Sequence, residues 1–460
     1  MSTHSPAPPD FDTAAARAAA TIAQWPVGEP IRLAKRTSNL FRSRDAVSHR
    51  LDLGAFDGVY DVDVERRTAS VGGLTTYEDL VAATLPYGLV PLCVPQLRTI
   101  TLGGAVTGLG IEAASFRNGL PHESVLGMDV LTGAGEIVRA EPNGPHSDLF
   151  FGFANSYGTL GYALRLDIEL EPVPAQMALR HTAFGSTTDM AEAIGEIVVG
   201  GKWQDESVDY VDGTVFAGNE MYLTTARYVD DMGPSSDYTG MDIYYRSIRR
   251  QASDRLTTLD YLWRWDTDWF WCSRAMGAQN PTVRRLWPKS RLRSDVYWKI
   301  VAFERRHNIT NRIAVRRGRP QREAVVQDVE VPLAALPEFM DFFHHEVRIE
   351  PVWVCPLRQR DPDAVWPLYQ FDPNGIYVNV GFWSSVELPP GVEPAAGTVN
   401  RAIEKKVTQL GGRKSLYSTA YYDRDEFYDI YGGDTYWRLK DRYDPERRLL
   451  DLYAKCVRSS

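Results

Sequence analysis

Cysteine is scarce in this chain. The four present among 460 residues, Cys93, Cys272, Cys355 and Cys456, lie far apart. They outline no disulfide framework, and no pair has the spacing of a metal site, so no metal is expected. Buried free thiols in a reducing compartment are the expectation. Long apolar runs are missing as well. No window of about 18 uninterrupted apolar residues occurs, so no membrane-spanning helix is expected. The N-terminus has no basic region leading into an apolar run, so no signal peptide is expected and the anticipated location is cytoplasmic. Excess positive charge is absent: 51 Lys and Arg face 60 Asp and Glu, a net charge of −9, which argues against a nucleic-acid partner. There is no internal repeat and no nucleoside-triphosphate lysine signature. No GxGxxG unit with its following helix and distal acid occurs either.

What is present is a globular apolar content of 44%, with 12 Trp and 23 Tyr. That aromatic content favours deep apolar pockets. Residues 98–119, RTITLGGAVTGLGIEAASFRNG, place Gly103, Gly104, Gly108 and Gly110 close together. Glycine lets a backbone approach a ligand closely and can point N–H groups at a phosphate.

The patterning predicts an α+β fold. Residues 1–20 read as a disordered tail, with a short Ala-rich helix within Ala14–Trp25. Residues 21–175 read as a first domain: strands over 60–64 and 69–71, a helix capped by Thr76, a hairpin over 128–139 and a strand over 162–170. Residues 176–415 read as a second, substrate-binding domain. It contains a strand over 325–331 and an aromatic helix candidate, 259–271, with Leu262, Trp265 and Trp269 on one face. Residues 416–460 read as a Tyr-rich helical segment returning to the first domain.

The glycine run has company. Pro91-Leu-Cys-Val-Pro95 precedes it. Asn118-Gly-Leu120, Val130-Leu-Thr-Gly-Ala-Gly-Glu-Ile-Val138, Asp148-Leu-Phe150 and Gly158-Thr-Leu-Gly161 follow. This order resembles the PCMH-type FAD-binding domain of the vanillyl-alcohol-oxidase superfamily. Within it, Gly108-Leu-Gly-Ile-Glu-Ala-Ala-Ser115 resembles the corresponding loop of delta-24-sterol reductases, the Diminuto/Seladin group. The likeness extends to Val326-Gln-Asp-Val329, Pro351-Val-Trp-Val-Cys-Pro356, Tyr421-Tyr422, Glu426-Phe427 and Tyr431-Gly432. A bacterial branch of the group, reductases of 10-methylene fatty acyl chains in tuberculostearate synthesis, is also similar. It is the expected branch, because the sequence shows no anchoring segment like that of the sterol enzymes.

The resemblance implies FAD wrapped by two loops. One supplies Arg36, Thr37, Ser38 and Asn39. The other supplies Thr101, Gly103, Gly104, Gly108, Gly110, Ile111, Ser115 and Gly119, with Gly158 and Gly161 completing the contact. Relatives often tether FAD through a His in the first loop or a Cys six residues before the glycine pair. Here those places hold Arg36-Thr37-Ser38 and Leu97, so noncovalent FAD is expected, with His122 structural.

The resemblance also implies reduction of an isolated alkene in a lipid, best a 10-methylene fatty acyl chain, with NADPH as electron donor. Such a double bond has no carbonyl to polarise it. The chemistry therefore needs a proton donor, a dry pocket, and aromatic faces to shelter positive charge before a hydride arrives. The candidate acids are Glu112, Glu330, Tyr421 and Tyr422. The basic cluster Arg305, Arg306, Arg312, Arg316, Arg317, Arg319 and Arg322 is either a solvated loop or a contact for phosphates, on NADPH or on anionic lipid at the inner membrane surface. An FAD-dependent alcohol or lactone oxidase or dehydrogenase, and a flavin-stabilised lipid-binding protein without turnover, remain alternatives.

Overall fold

A computed structural model describes residues 10–35, 41–42, 49–307, 309–316, 318–389 and 391–457. The chain opens on a helix, Phe11–Gln24, whose Phe11, Ala15, Ala18 and Ile22 share one buried stripe. This corrects the expected tail over 11–20; residues 1–9 lie outside the described residues. The phenyl ring of Phe11 meets Phe56 edge-on at 5.5 Å, and that burial begins the helix earlier than its alanines alone suggest.

Among the described residues, six strands between Val59 and Pro172 form the first sheet. Its order is Val59–Asp63, Thr68–Gly72, Gly161–Pro172, Val125–Thr132 and Ile137–Ala140, with Leu89–Pro91 also on the long Gly161–Pro172 strand. Thr76 caps the helix Tyr77–Thr84 by accepting from the backbone of Asp79.

Eight antiparallel strands between Gln176 and Lys414 form the second sheet. Its central run is Tyr210–Ala217, Val352–Leu357, Tyr377–Glu387 and Arg322–Pro332. The two-residue period of a strand divides these side chains cleanly. Val211, Val215, Val354, Val380, Phe382, Val325 and Val329 pack beneath the helices Thr187–Gly200, Leu336–Phe342 and Thr398–Gln409. The opposite face receives Asp212, Trp353, Trp383, Asp328 and Glu330, and that face meets the first domain. The chain is thus an α+β protein whose two large sheets, among the described residues, have a cavity between them.

The aromatic segment is not one helix. Thr257 caps a helix that lasts only Thr258–Leu262. The backbone then turns, and Trp269 and Phe270 adopt left-handed conformations, φ 45° and 59°. The expected shared face of Leu262, Trp265 and Trp269 therefore does not form. What overrides the helical pattern is a buried ion pair. Arg264 Nη2 lies 2.9 Å from Asp212 Oδ2, which also accepts from the indoles of Trp265 at 2.8 Å and Trp353 at 3.1 Å. Removing one partner leaves the other charge buried alone. Asp212→Ala is expected to destabilise the fold by about 3–5 kcal/mol, read as a lowered denaturant midpoint. A midpoint unchanged from wild type would count against this hub.

Candidate functional site

A cavity of about 290 Å³ runs between the two sheets. The helix Leu102–Gly108 forms its floor at one end. Thr101 caps that helix, accepting from Gly104 N at 3.2 Å, and also accepts from Lys35 Nζ at 3.0 Å. Thr101, Gly103, Gly104, Gly108, Gly110, Ile111, Gly158 and Gly161 all line the cavity. So do Arg32, Lys35, Arg42 and Lys455, a concentration of cations in an acidic chain.

The glycines contribute space rather than free donors. Gly103 N donates to Gly73 O at 3.0 Å, and Gly104 N is taken by Thr101. A Cβ on Gly104 would stand 2.8 Å from Thr101 Oγ1 and 3.1 Å from Lys35 Nζ. Charge for a phosphate therefore comes from side chains. Lys455 is held within reach of Gly158 O at 3.4 Å, and burial drives its pKa well below the usual lysine range. A bound anion would reverse that cost.

Two predicted contacts lie elsewhere. Ser115 is fully buried and its hydroxyl accepts from Glu112 N at 3.1 Å, so it braces the loop from behind. Gly119 makes a turn at φ +70° against the carboxylate of Glu123. Arg36, Thr37, Ser38 and Asn39 lie outside the described residues. Leu97 lines the cavity, whereas Cys93 and His122 do not. His122 packs edge-on against Trp366 at 4.3 Å, and burial pulls its pKa down to about 3.

The other end of the cavity is aromatic. Phe41, Trp269, Phe270, Trp353 and Trp383 line it, with Phe270 stacked on Trp383 at 4.4 Å. Among these rings stands Asp328, the one carboxylate among the described lining residues. It accepts from Asn379 Nδ2 at 3.2 Å and is hydrogen-bonded to Tyr417, whose hydroxyl also accepts from Trp383 Nε1 at 2.8 Å. Opposite Asp328 in the sheet is Gly381, whose missing side chain leaves room for the carboxylate. Asp328 is half-buried where it lines the cavity. Burial pushes its pKa up to about 6, against the opposing effects of Asn379, Tyr417 and Lys414.

None of the four acids expected from the sequence lines this cavity. Glu112 sits one residue behind, accepting from Ala114 N at 2.8 Å and from the lining residue Gln96 at 3.3 Å; burial raises its pKa to about 7. Glu330 lies behind Ser415, whose hydroxyl donates to it at 3.0 Å, and Tyr369 donates to its other oxygen. Burial raises Glu330 to about 8. Tyr421 packs beneath Arg401 and against Gly397, and Tyr422 against Tyr431, both away from the cavity. Asp328, Ser415, Tyr417, Trp383 and Lys455 escaped sequence reading. Asp328 alone had a signal, as the carboxylate inside the Val326-Gln-Asp-Val329 likeness.

The cationic, glycine-floored end and the flat aromatic end fit FAD, with Arg32, Lys35 and Lys455 placed to hold its phosphates. Residues 18–141 match the FAD binding domain family. The chain carries a PCMH-type FAD-binding domain and is an FAD-dependent oxidoreductase. It is 24% identical over 420 residues to the Delta(24)-sterol reductase of Rattus norvegicus, covering 87% of this chain and 76% of that protein. The Arabidopsis thaliana Delta(24)-sterol reductase is 23% identical over 433 residues, covering 88% and 76%. Cytokinin dehydrogenase 10 of Oryza sativa subsp. japonica is 33% identical over 160 residues, 34% of this chain and 28% of that one. The chain is thus similar to the Delta(24)-sterol reductases over most of its length.

Proposed function

We propose that the protein reduces an isolated carbon–carbon double bond in a lipid, with electrons from NADPH carried by noncovalent FAD. The observation that carries this reading is the joining of a cationic, glycine-floored end to an aromatic end holding a carboxyl of raised pKa. The relatives named Delta(24)-sterol reductases support a lipid alkene as the substrate class. Within that class the proposed substrate is a 10-methylene fatty acyl chain, reduced to the 10-methyl chain. A sterol side chain is the competing substrate.

Bound FAD, once reduced, supplies a hydride. Asp328 holds the proton. With a pKa near 6 it is protonated in about one molecule in ten at pH 7, far more often than an ordinary aspartate. Asn379 and Tyr417 fix its orientation. Trp269, Phe270, Trp353 and Trp383 exclude water, and each ring offers about 0.5–2 kcal/mol to positive charge developing on the substrate. Asp328 would give its proton to one alkene carbon, and the other would take the hydride that reduced FAD would supply. NADPH, oxidised to NADP⁺, accounts for both electrons.

The test is anaerobic mixing of purified yellow protein with NADPH. Bleaching is expected, followed by recolouring on addition of 10-methylene lipid; recolouring by a Δ24-sterol alone would move the substrate to the sterol. Acid precipitation should release the colour from the polypeptide. Bleaching by alcohols or lactones but not by NADPH would replace the reductase reading with the oxidase one. Protein without flavin would sink both.

A further inference from the structure

The helices Ser294–His307 and Ile309–Arg316 form an amphipathic pair that exposes apolar side chains interleaved with cations. In the first helix, Tyr297, Trp298 and Val301 turn inward. Trp298 packs edge-on against Phe41 at 4.7 Å, so this helix backs the aromatic wall of the cavity. Its opposite face shows Ile300, 43% exposed, and Phe303, 58% exposed. In the second helix, Asn311 turns inward and exchanges hydrogen bonds with the backbone of Arg322 at 3.2 and 3.3 Å. Ile309 and Ile313 are exposed beside Arg312 and Arg316. Close by in the chain, the helix Pro281–Leu286 exposes Leu286 almost fully, at 79%.

Charge selects the occupant. Residues 281–319 hold twelve Lys or Arg and two Asp or Glu, in a chain whose net charge is −9. Arg285, Lys289, Arg291, Lys299, Arg312, Arg316 and Arg319 are exposed; Arg317, and the side chains of Arg305 and Arg306, lie outside the described residues. Exposed bulky apolar side chains interleaved with cations match the boundary between acyl chains and anionic headgroups. A second copy would meet the patch with the same sign of charge, which opposes pairing through it.

We infer that this helix pair docks the protein on an anionic lipid surface, with Phe303 and Ile313 inserted among the acyl chains. The position matters for the reaction, since the docked helix is the one whose inner face backs the cavity. Only that purpose rests on the lipid-substrate reading. The docking itself does not.

Flotation with vesicles tests it, using flavin-loaded protein. The protein is expected to float with phosphatidylglycerol vesicles, not with pure phosphatidylcholine, and to be released as salt rises from about 0.05 to about 0.5 M. Phe303→Asp with Ile313→Asp, and separately Arg312→Glu with Arg316→Glu, are expected to lower the bound fraction about tenfold or more while melting temperature and flavin absorbance stay unchanged. Failure to float with anionic vesicles at low salt would overturn the inference. So would flotation that neither pair of substitutions changes, or a dimer in solution dispersed by these substitutions without vesicle binding. Turnover is measured separately on detergent-dispersed lipid: flotation without turnover rejects the substrate reading and leaves the docking standing.

Discussion

Gly104→Glu is expected to fold and to purify without colour. The helix floor is so close to the Thr101 hydroxyl and the Lys35 ammonium that even a Cβ at this position crowds both. A glutamate adds a carboxylate beside the cations proposed to hold the pyrophosphate. It would pair with Lys35 or fill the phosphate path, and in either case anion binding is lost. Flavin per polypeptide, read from visible absorbance, should fall at least about tenfold, the cost of losing one charge-assisted contact. Gly104→Ala, which adds bulk without charge, should fall between the two. Circular dichroism and melting temperature distinguish loss of cofactor from loss of fold. A folded, fully yellow Gly104→Glu protein would show that the pyrophosphate does not pass here.

Asp328→Asn is expected to separate the two halves of the reaction. The variant should keep its flavin and bleach with NADPH at the wild-type rate. Recolouring by the alkene should slow by about 10²–10⁴-fold, the usual worth of a positioned acid. The pH dependence carries the sign. A carboxyl whose pKa lies near 6 donates only while protonated, so the alkene step should slow progressively as pH rises above 6, and this slope should vanish in Asp328→Asn. Tyr417→Phe removes a hydrogen bond that favours the charged form, so the inflection should move upward. If Asp328→Asn recolours as fast as wild type, the proton comes from another group. Glu330 behind Ser415 is then the next to test.

The cofactor end was far more legible in the sequence than the reaction end, and the reason is physical. Gly103 to Gly110 are contiguous, and a close backbone approach leaves glycine spacing as its trace. The expected donor role of their N–H groups was less visible, because it depends on whether Gly73 and Thr101 have already claimed them. The proposed proton donor is set by sheet register. Asp328 enters the cavity because it faces Gly381 across a strand pair, and Trp383 because it lies two residues further along. Such pairings join positions more than fifty apart and leave no local pattern. Glu112 had the better motif, within the flavin loop, yet its carboxylate turns back to cap the backbone of Ala114. The aromatic run 259–271 misled for a third reason: the Arg264–Asp212 pair overrides helical periodicity.

The two ends of the chain meet at the cofactor site. Ile31 pairs with Leu449, its N–H donating to Arg448 O at 2.8 Å, and Arg42 donates to Cys456 Sγ across a separation of 414 positions. Lys455 then enters the same cavity as Lys35. During synthesis the strand near residue 31 emerges among the first, but its partners leave the ribosome only after the whole substrate domain has been made. Domains that fold in order from the N-terminus would ordinarily be finished before the next begins. Here the first domain lacks its partners from residues 448–456 until the second sheet has been made, so a nascent chain stalled within that sheet is expected to hold no flavin.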